Sequence, residues 1–319
     1  MGALNGRERL SQEAVKTMSI GTKKKRFDGN LLFYVLMIAF PVLQFCVFYI
    51  GVNARSFLYA FQRIDIKSGE ITWTLDALKN AFDKMVEPTL LTTFGTSFLA
   101  FFLTYAIGTI LALLFSYFIF KKLPMSNFFK VMLFLPSILS AIVTVTIYQN
   151  FVETAIPAIS NSIFHQTIEG LIQNPSTRFA TIIFYNILVS FGTNVLMYSN
   201  AMSGLSTEII EAAKIDGANS WQEFFHIVLP GIFPTITTFA VTSVASIFVN
   251  QLNLFSFFSG QAPEGVQTYG YYLYVQTVRA NSEAEYPIIC AIGLFLTIIA
   301  VPLTLIVKYL LEKFGPSED

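Results

Sequence analysis

Six long apolar blocks constrain this chain more than any other feature. They run over about 31–51, 91–120, 128–151, 179–202, 232–258 and 286–311. A helix needs about 20 mostly apolar residues to cross hydrocarbon, and every block reaches that length. The apolar positions do not follow the one-sided spacing of a helix lying on a soluble core. No block holds Asp, Glu, Lys or Arg away from its ends. Hydrocarbon demands this, because a charge at a helix centre costs at least ~2.5–3.5 kcal/mol. Only 13% of the 319 residues are charged, against about 25% in a soluble domain. The expected fold is all-α, a polytopic membrane protein with six transmembrane helices over 30–314, flanked by tails 1–29 and 315–319. The missing midplane carboxylate also argues against a proton pump or an ion-coupled carrier.

Loop charges set the expected orientation, because Lys and Arg accumulate on the cytoplasmic side. With the N-terminus inside, the inner segments hold Arg7, Arg9, Lys16, Lys23, Lys24, Lys25, Arg26, Lys121, Lys122, Lys130, Lys214, Lys308 and Lys313. The outer segments hold Arg55, Arg63, Lys67, Lys79, Lys84, Arg178 and Arg279. The bias predicts a multi-pass cell-membrane protein with both termini cytoplasmic. The first block exceeds the 7–15 residues of a signal-peptide core, so it is expected to stay as an anchor. Cys46 and Cys290 lie in apolar blocks, and His165 and His226 have no other ligand nearby in sequence. None suggests a disulfide framework or a metal site. The 52–90 outer loop carries a turn signal at Gly69 and a short amphipathic helix from Asp76.

The inner loop 203–231 carries the most local signal. Ser206 or Thr207 caps a predicted helix over 208–216, with Glu208 and Glu211 suiting its positive end. Ile209, Ala212, Ala213 and Asp216 fall along one side of it, and Gly217 supplies the positive-φ stop. Ser220 through Glu223 reads as a capping box that starts a second helix at once. Pro230 and Pro234 shape the entry to the next span. The two alanines leave room for a close partner.

The string Glu211-Ala212-Ala213-Lys214-Ile215-Asp216-Gly217-Ala218, followed by Ile227-Val228-Leu229-Pro230, resembles the EAA loop of ABC importer permeases. Phe134-Leu135-Pro136-Ser137 is similar to that family's F-L-P stretch. Ser259-Gly260-Gln261-Ala262-Pro263, Gln267-Thr268 and Tyr271-Tyr272-Leu273-Tyr274 resemble the first-permease kind of the maltose-type carbohydrate permeases. Leu205-Ser206 replaces the usual Ile-Pro before the loop helix, and the large outer domain of the enterobacterial maltose permease is absent. The resemblance implies the type I ABC importer permease fold. It also implies a second homologous permease, two cytoplasmic ATPase subunits, an extracytoplasmic solute-binding protein and a carbohydrate solute, with no nucleic-acid partner. Glu211, Ala212, Ala213, Asp216 and Gly217 would form the coupling contact with the ATPase. No cofactor is expected in this chain. ATP and magnesium would belong to the ATPase, since no G-x-x-x-x-G-K-[ST] loop occurs here, and no catalytic constellation suggests an enzyme.

Thr235, Thr238, Thr242, Ser246, Asn250 and Asn253 recur at steps of three and four along the fifth block, and Asn186, Ser190, Thr193 and Asn194 along the fourth. Spacing alone favours interhelical hydrogen bonding. The maltose-type resemblance instead implies solute contacts at Asn186, Ser190, Ser246, Asn250 and Asn253. Leu188 stands where the maltose permease has a sugar-stacking tryptophan, which argues against a maltodextrin and leaves other saccharides open. A secondary transporter is the alternative reading, but it would show inverted repeats and a membrane coupling site.

Overall fold

The structure, a computed structural model, describes residues 29–65 and 68–316. The expected N-terminal tail with its Lys23–Arg26 cluster, and most of the tail 315–319, lie outside the described residues. The chain divides into two compact units, Met1–Ser56 and Phe57–Asp319. In the first, α1 (Gly29–Gln44) passes through a π-helical stretch, Phe45–Gly51, into α2 (Val52–Tyr59). Pro41 inside α1 removes one donor from the helical ladder. From Phe33 to Ile50 the helix carries mostly apolar residues on all its faces, as a membrane span does.

The second unit opens with a hairpin that the sequence did not announce. Strands β1 (Gln62–Ile64) and β2 (Ile71–Trp73) pair antiparallel, with Arg63 opposite Thr72. Gly69 takes φ +69° in the turn. The expected amphipathic helix follows as α3 (Asp76–Val86), which buries Ala77 and Ala81. Then α4 (Pro88–Phe120) runs for 33 residues from a proline at its first turn. At ~1.5 Å per residue it is about 50 Å long, so it outreaches a hydrocarbon core of about 30 Å.

The third expected span, 128–151, is not one helix. Here α5 (Ser126–Ile138) meets the segment Ala141–Phe164 at 105°. That segment comprises α6 (Ala141–Asn150), a π-helical turn at Phe151–Ala155, and α7 (Ile156–Phe164). Pro136 breaks the ladder inside α5, and Leu139 and Ser140 are extended, with ψ 151° and 145°. Next, α8 (Pro175–Ser203) is capped by Asn174, whose side chain accepts from Ser176 N. It packs along both α4 and α5.

The loop after α8 contains α9 (Thr207–Ile215), α10 (Ser220–Glu223), a π-helical turn at Phe224–Val228, and α11 (Leu229–Gly231). The chain then bends by 65° into α12 (Phe233–Ala245). The fifth expected span, 232–258, is also interrupted. Residues 246–253 leave the helix, and Leu252 and Asn253 take φ 49° and 55° before the short α13 (Leu254–Phe258). Two further helices, α14 (Tyr269–Arg279) and α15 (Tyr286–Phe314), complete the chain. Among the described residues, four helices are long and apolar enough to cross a membrane: Phe33–Tyr59, Pro88–Phe120, Pro175–Ser203 and Glu283–Phe314. Counting each bent pair as one span brings the number to six. Six unbroken spans were expected; hydropathy does not register a bend.

Candidate functional site

Small residues decide how closely the spans approach. Ala100, Ala112 and Ser116 are buried on α4, and small residues on a helix face let helix backbones draw together. Ser116 Oγ donates to Val195 O of α8 at 3.0 Å. On its other flank α8 has Gly192 against the backbone of Leu133 and Phe134 in α5; a Cβ there would stand 2.9 Å from Phe134 N and overlap Leu133 O.

Between α4, α8, α12 and the non-helical stretch lies a cavity of about 220 Å³. Its polar lining comes from Ser97, Thr104, Tyr105 and Thr109 of α4, Ser190, Asn194 and Tyr198 of α8, Ser243 of α12, and Ser246, Asn250 and Thr268 beyond it. No charged side chain lines it. Three expected solute contacts, Ser190, Ser246 and Asn250, reach this wall, whereas Asn186 and Asn253 do not. Asn186 is buried and donates to Ile182 O at 2.9 Å and Leu252 O at 3.0 Å, while its Oδ1 accepts from Asn253 Nδ2 at 2.9 Å. These two asparagines therefore clamp the non-helical stretch to α8.

On the wall, Ser190 Oγ donates to Asn186 O at 2.8 Å and Ser246 Oγ to Ser243 O at 2.9 Å. Asn250 Oδ1 accepts from Leu252 N at 2.9 Å, and Asn250 O accepts from Thr268 Oγ1 at 2.7 Å. The buried Thr104 hydroxyl has no hydrogen-bond partner among the described residues. Thr104 and Tyr105 were not singled out from sequence; their signal was two polar residues in the middle of the second apolar block. Of the expected stripe, Thr238 and Thr242 are exposed and bond carbonyls of their own helix. The stripe is not one continuous face, because α12 stops at Ala245.

At the other end of α8 the loop folds much as its residues dictate. Ser206 Oγ accepts from Glu208 N at 3.2 Å. Gly217, at φ +79°, ends α9 in a Schellman turn: Ala218 N donates to Ala213 O at 2.9 Å and Gly217 N to Lys214 O at 3.2 Å. Glu211, Ala212, Asp216 and Gly217 are exposed, while Ala213 is buried with Ile210. The expectation that both alanines share an outer side is corrected here, since Ala213 turns inward with Ile210, three residues before it.

The second helix starts one residue earlier than expected. Its capping box is Asn219 with Gln222, through Gln222 N to Asn219 Oδ1 at 2.9 Å and Asn219 N to Gln222 Oε1 at 2.8 Å. Glu223 is no cap because it is 2% exposed and both its oxygens accept from Lys121 Nζ, at 2.8 and 2.7 Å. Burial works against the Lys121 charge, but its hydrogen bonds to Glu223, together with the Glu223 charge and Tyr117, outweigh it and hold the ammonium above the usual lysine range. Tyr117 OH also donates to Ser220 O at 3.0 Å, and the Tyr117 and Phe224 rings lie 5.0 Å apart.

Largely apolar helices, an uncharged polar cavity among them and a structured loop at one end are the build of a polytopic transport permease. Comparison with known proteins makes this specific. The chain belongs to the family of binding-protein-dependent transport system inner membrane components, whose model matches residues 104–318. It is similar to the arabinooligosaccharides transport system permease protein AraP of Halalkalibacterium halodurans, with 27% identity over 90% of this chain and 89% of the relative. AraP of Bacillus subtilis is 29% identical over 83% and 84%. MsmF, the multiple sugar-binding transport system permease of Streptococcus mutans, is 23% identical over 89% and 93%. The fold resembles a chain of a bacterial ABC transporter involved in import of the acidic polysaccharide alginate, at TM-score 0.73, 18% identity, and coverage of 89% and 96%.

Proposed function

We propose that this chain is one permease of an ATP-driven importer for an uncharged saccharide. It would pair with a second, similar permease and two cytoplasmic ATPase subunits, and take solute from an extracytoplasmic binding protein. The observation that carries this reading is the cavity, whose hydroxyls, amides and rings suit a neutral polyhydroxylated solute and whose lining holds no charge. Relatives named for arabinooligosaccharides and multiple sugars support a saccharide. The fold neighbours import an acidic polysaccharide, but nothing in this cavity would neutralise a carboxylate. At about 220 Å³ the space is below the ~300–1,000 Å³ usual for ligand pockets, so it suits one sugar unit rather than a chain. ATP depletion with the proton gradient clamped would stop uptake by this mechanism and spare a secondary transporter.

Asn250→Asp separates solute contact from wall structure. It keeps the oxygen that accepts from Leu252 N and exchanges the amide donor for charge. Uptake assays should show apparent affinity lowered about tenfold, the equivalent of ~1.4 kcal/mol, with ATPase co-purification unchanged. Wild-type uptake in this variant would remove Asn250 from the site.

The exposed side of α9, with Glu211, Ala212 and Asp216, is proposed to dock on the ATPase from the cytoplasm. In a background without Cys46 and Cys290, Ala212→Cys should react with an impermeant maleimide only in inside-out vesicles, and bound ATPase should protect it. Ala213→Cys, being buried, should react slowly on either side. Labelling of Ala212→Cys from outside would invert the orientation, and lack of protection would move the docking contact elsewhere.

A further inference from the structure

The loop is joined covalently to α8, through the three non-helical residues 204–206, and to α12, and it also touches α4. Towards α12 the chain passes through the π-helical turn Phe224–Val228 and then a 65° bend. Such breaks absorb movement. Contact with α4 is different in kind. Lys121 and Glu223 are 102 residues apart in sequence, yet the ammonium bonds both carboxylate oxygens. Tyr117 adds its bond to Ser220 O and its ring against Phe224. From this joint α4 runs back without an internal proline to Thr104, Tyr105 and Thr109 on the cavity wall.

We infer that Lys121, Glu223 and Tyr117 form a strut that carries loop movement into α4 and so to the cavity wall. Replacing a buried ion pair by apolar side chains is often neutral for stability, so its use here is register: it fixes α10 against the end of α4. Lys121 and Glu223 are positioning residues, acting through α4 on groups that face solute. This rests on the proposed docking of α9 to the ATPase, and the two ideas separate by experiment. Loss of docking releases the ATPase, whereas loss of the strut leaves it bound but deaf to solute.

The test uses the complete transporter, reconstituted with ATPase and binding protein. Lys121→Met keeps the aliphatic stem and removes the charge. The ATPase should still co-purify and hydrolyse ATP at its basal rate, while the ratio of solute-stimulated to basal hydrolysis falls by about tenfold. That ratio does not move when a variant merely yields less folded protein. Lys121→Arg should restore it, because the guanidinium keeps charge and multiple donors. If Glu223 left unpaired prevents folding, the double variant Lys121→Met, Glu223→Met removes both charges together. It should assemble and remain unstimulated. Normal stimulation in Lys121→Met or in the double variant would overturn the strut, as would ATPase release in the double variant.

Discussion

Leucine in place of Gly192 is expected to leave almost no folded protein in the membrane. The reason is backbone against backbone. Even the Cβ of alanine would fall 2.9 Å from Phe134 N and overlap Leu133 O. No rotamer change relieves that contact, so α8 must move off α5. Overpacking a core with extra methylenes costs typically ~1–3 kcal/mol, and here the relief would separate two helices along their length. A folded protein holds only about 5–15 kcal/mol in reserve. Gly192→Ala should already reduce the monodisperse peak in fluorescence-detected gel filtration, and Gly192→Leu should remove it. Gly108→Ala is the matched control, because nothing lies within 4 Å of a Cβ built there. A normal peak for Gly192→Leu would mean that α5 and α8 can part without loss of the fold.

Asn186→Leu should destabilise the protein with no solute present. Its amide group serves Leu252 O and Asn253 Nδ2 at once, and both belong to the stretch where φ is 49° and 55°. Backbone of that kind persists only where its surroundings hold it. Removing the amide orphans two groups, at on the order of 1–3 kcal/mol each. The thermal unfolding midpoint in detergent should fall by several degrees, whereas Asn250→Asp leaves it in place. If Asn186→Leu unfolds at the wild-type temperature but loses uptake, Asn186 contacts solute and the clamp is not what it does.

These two expectations mark where reading along the chain stopped. Asn253 belongs to the expected helical polar stripe because its spacing from Ser246 and Asn250 fits ~3.6 residues per turn. Periodicity cannot show that the helix has ended at Ala245, since the same residues satisfy the pattern in either state. The loop was more legible. Ser206 and Gly217 act on atoms within a few residues of themselves, so their roles as cap and stop needed no tertiary knowledge. Glu223 was misread as a cap because its partner, Lys121, lies on another helix, and Asn219 was an equally good cap one residue earlier.

By itself the sequence determined the medium, the helical class, the approximate position of the apolar segments and the first cap and the stop of the loop. Each follows from the solvation of a short segment or from hydrogen bonds within one turn. Tertiary structure alone decided where the third and fifth spans break, that Gly192 must be glycine, that Glu223 is held by Lys121, and which asparagines face the cavity. All of these depend on atoms brought together from distant parts of the chain. Hydrocarbon tests how apolar a segment is, and packing tests what stands beside it.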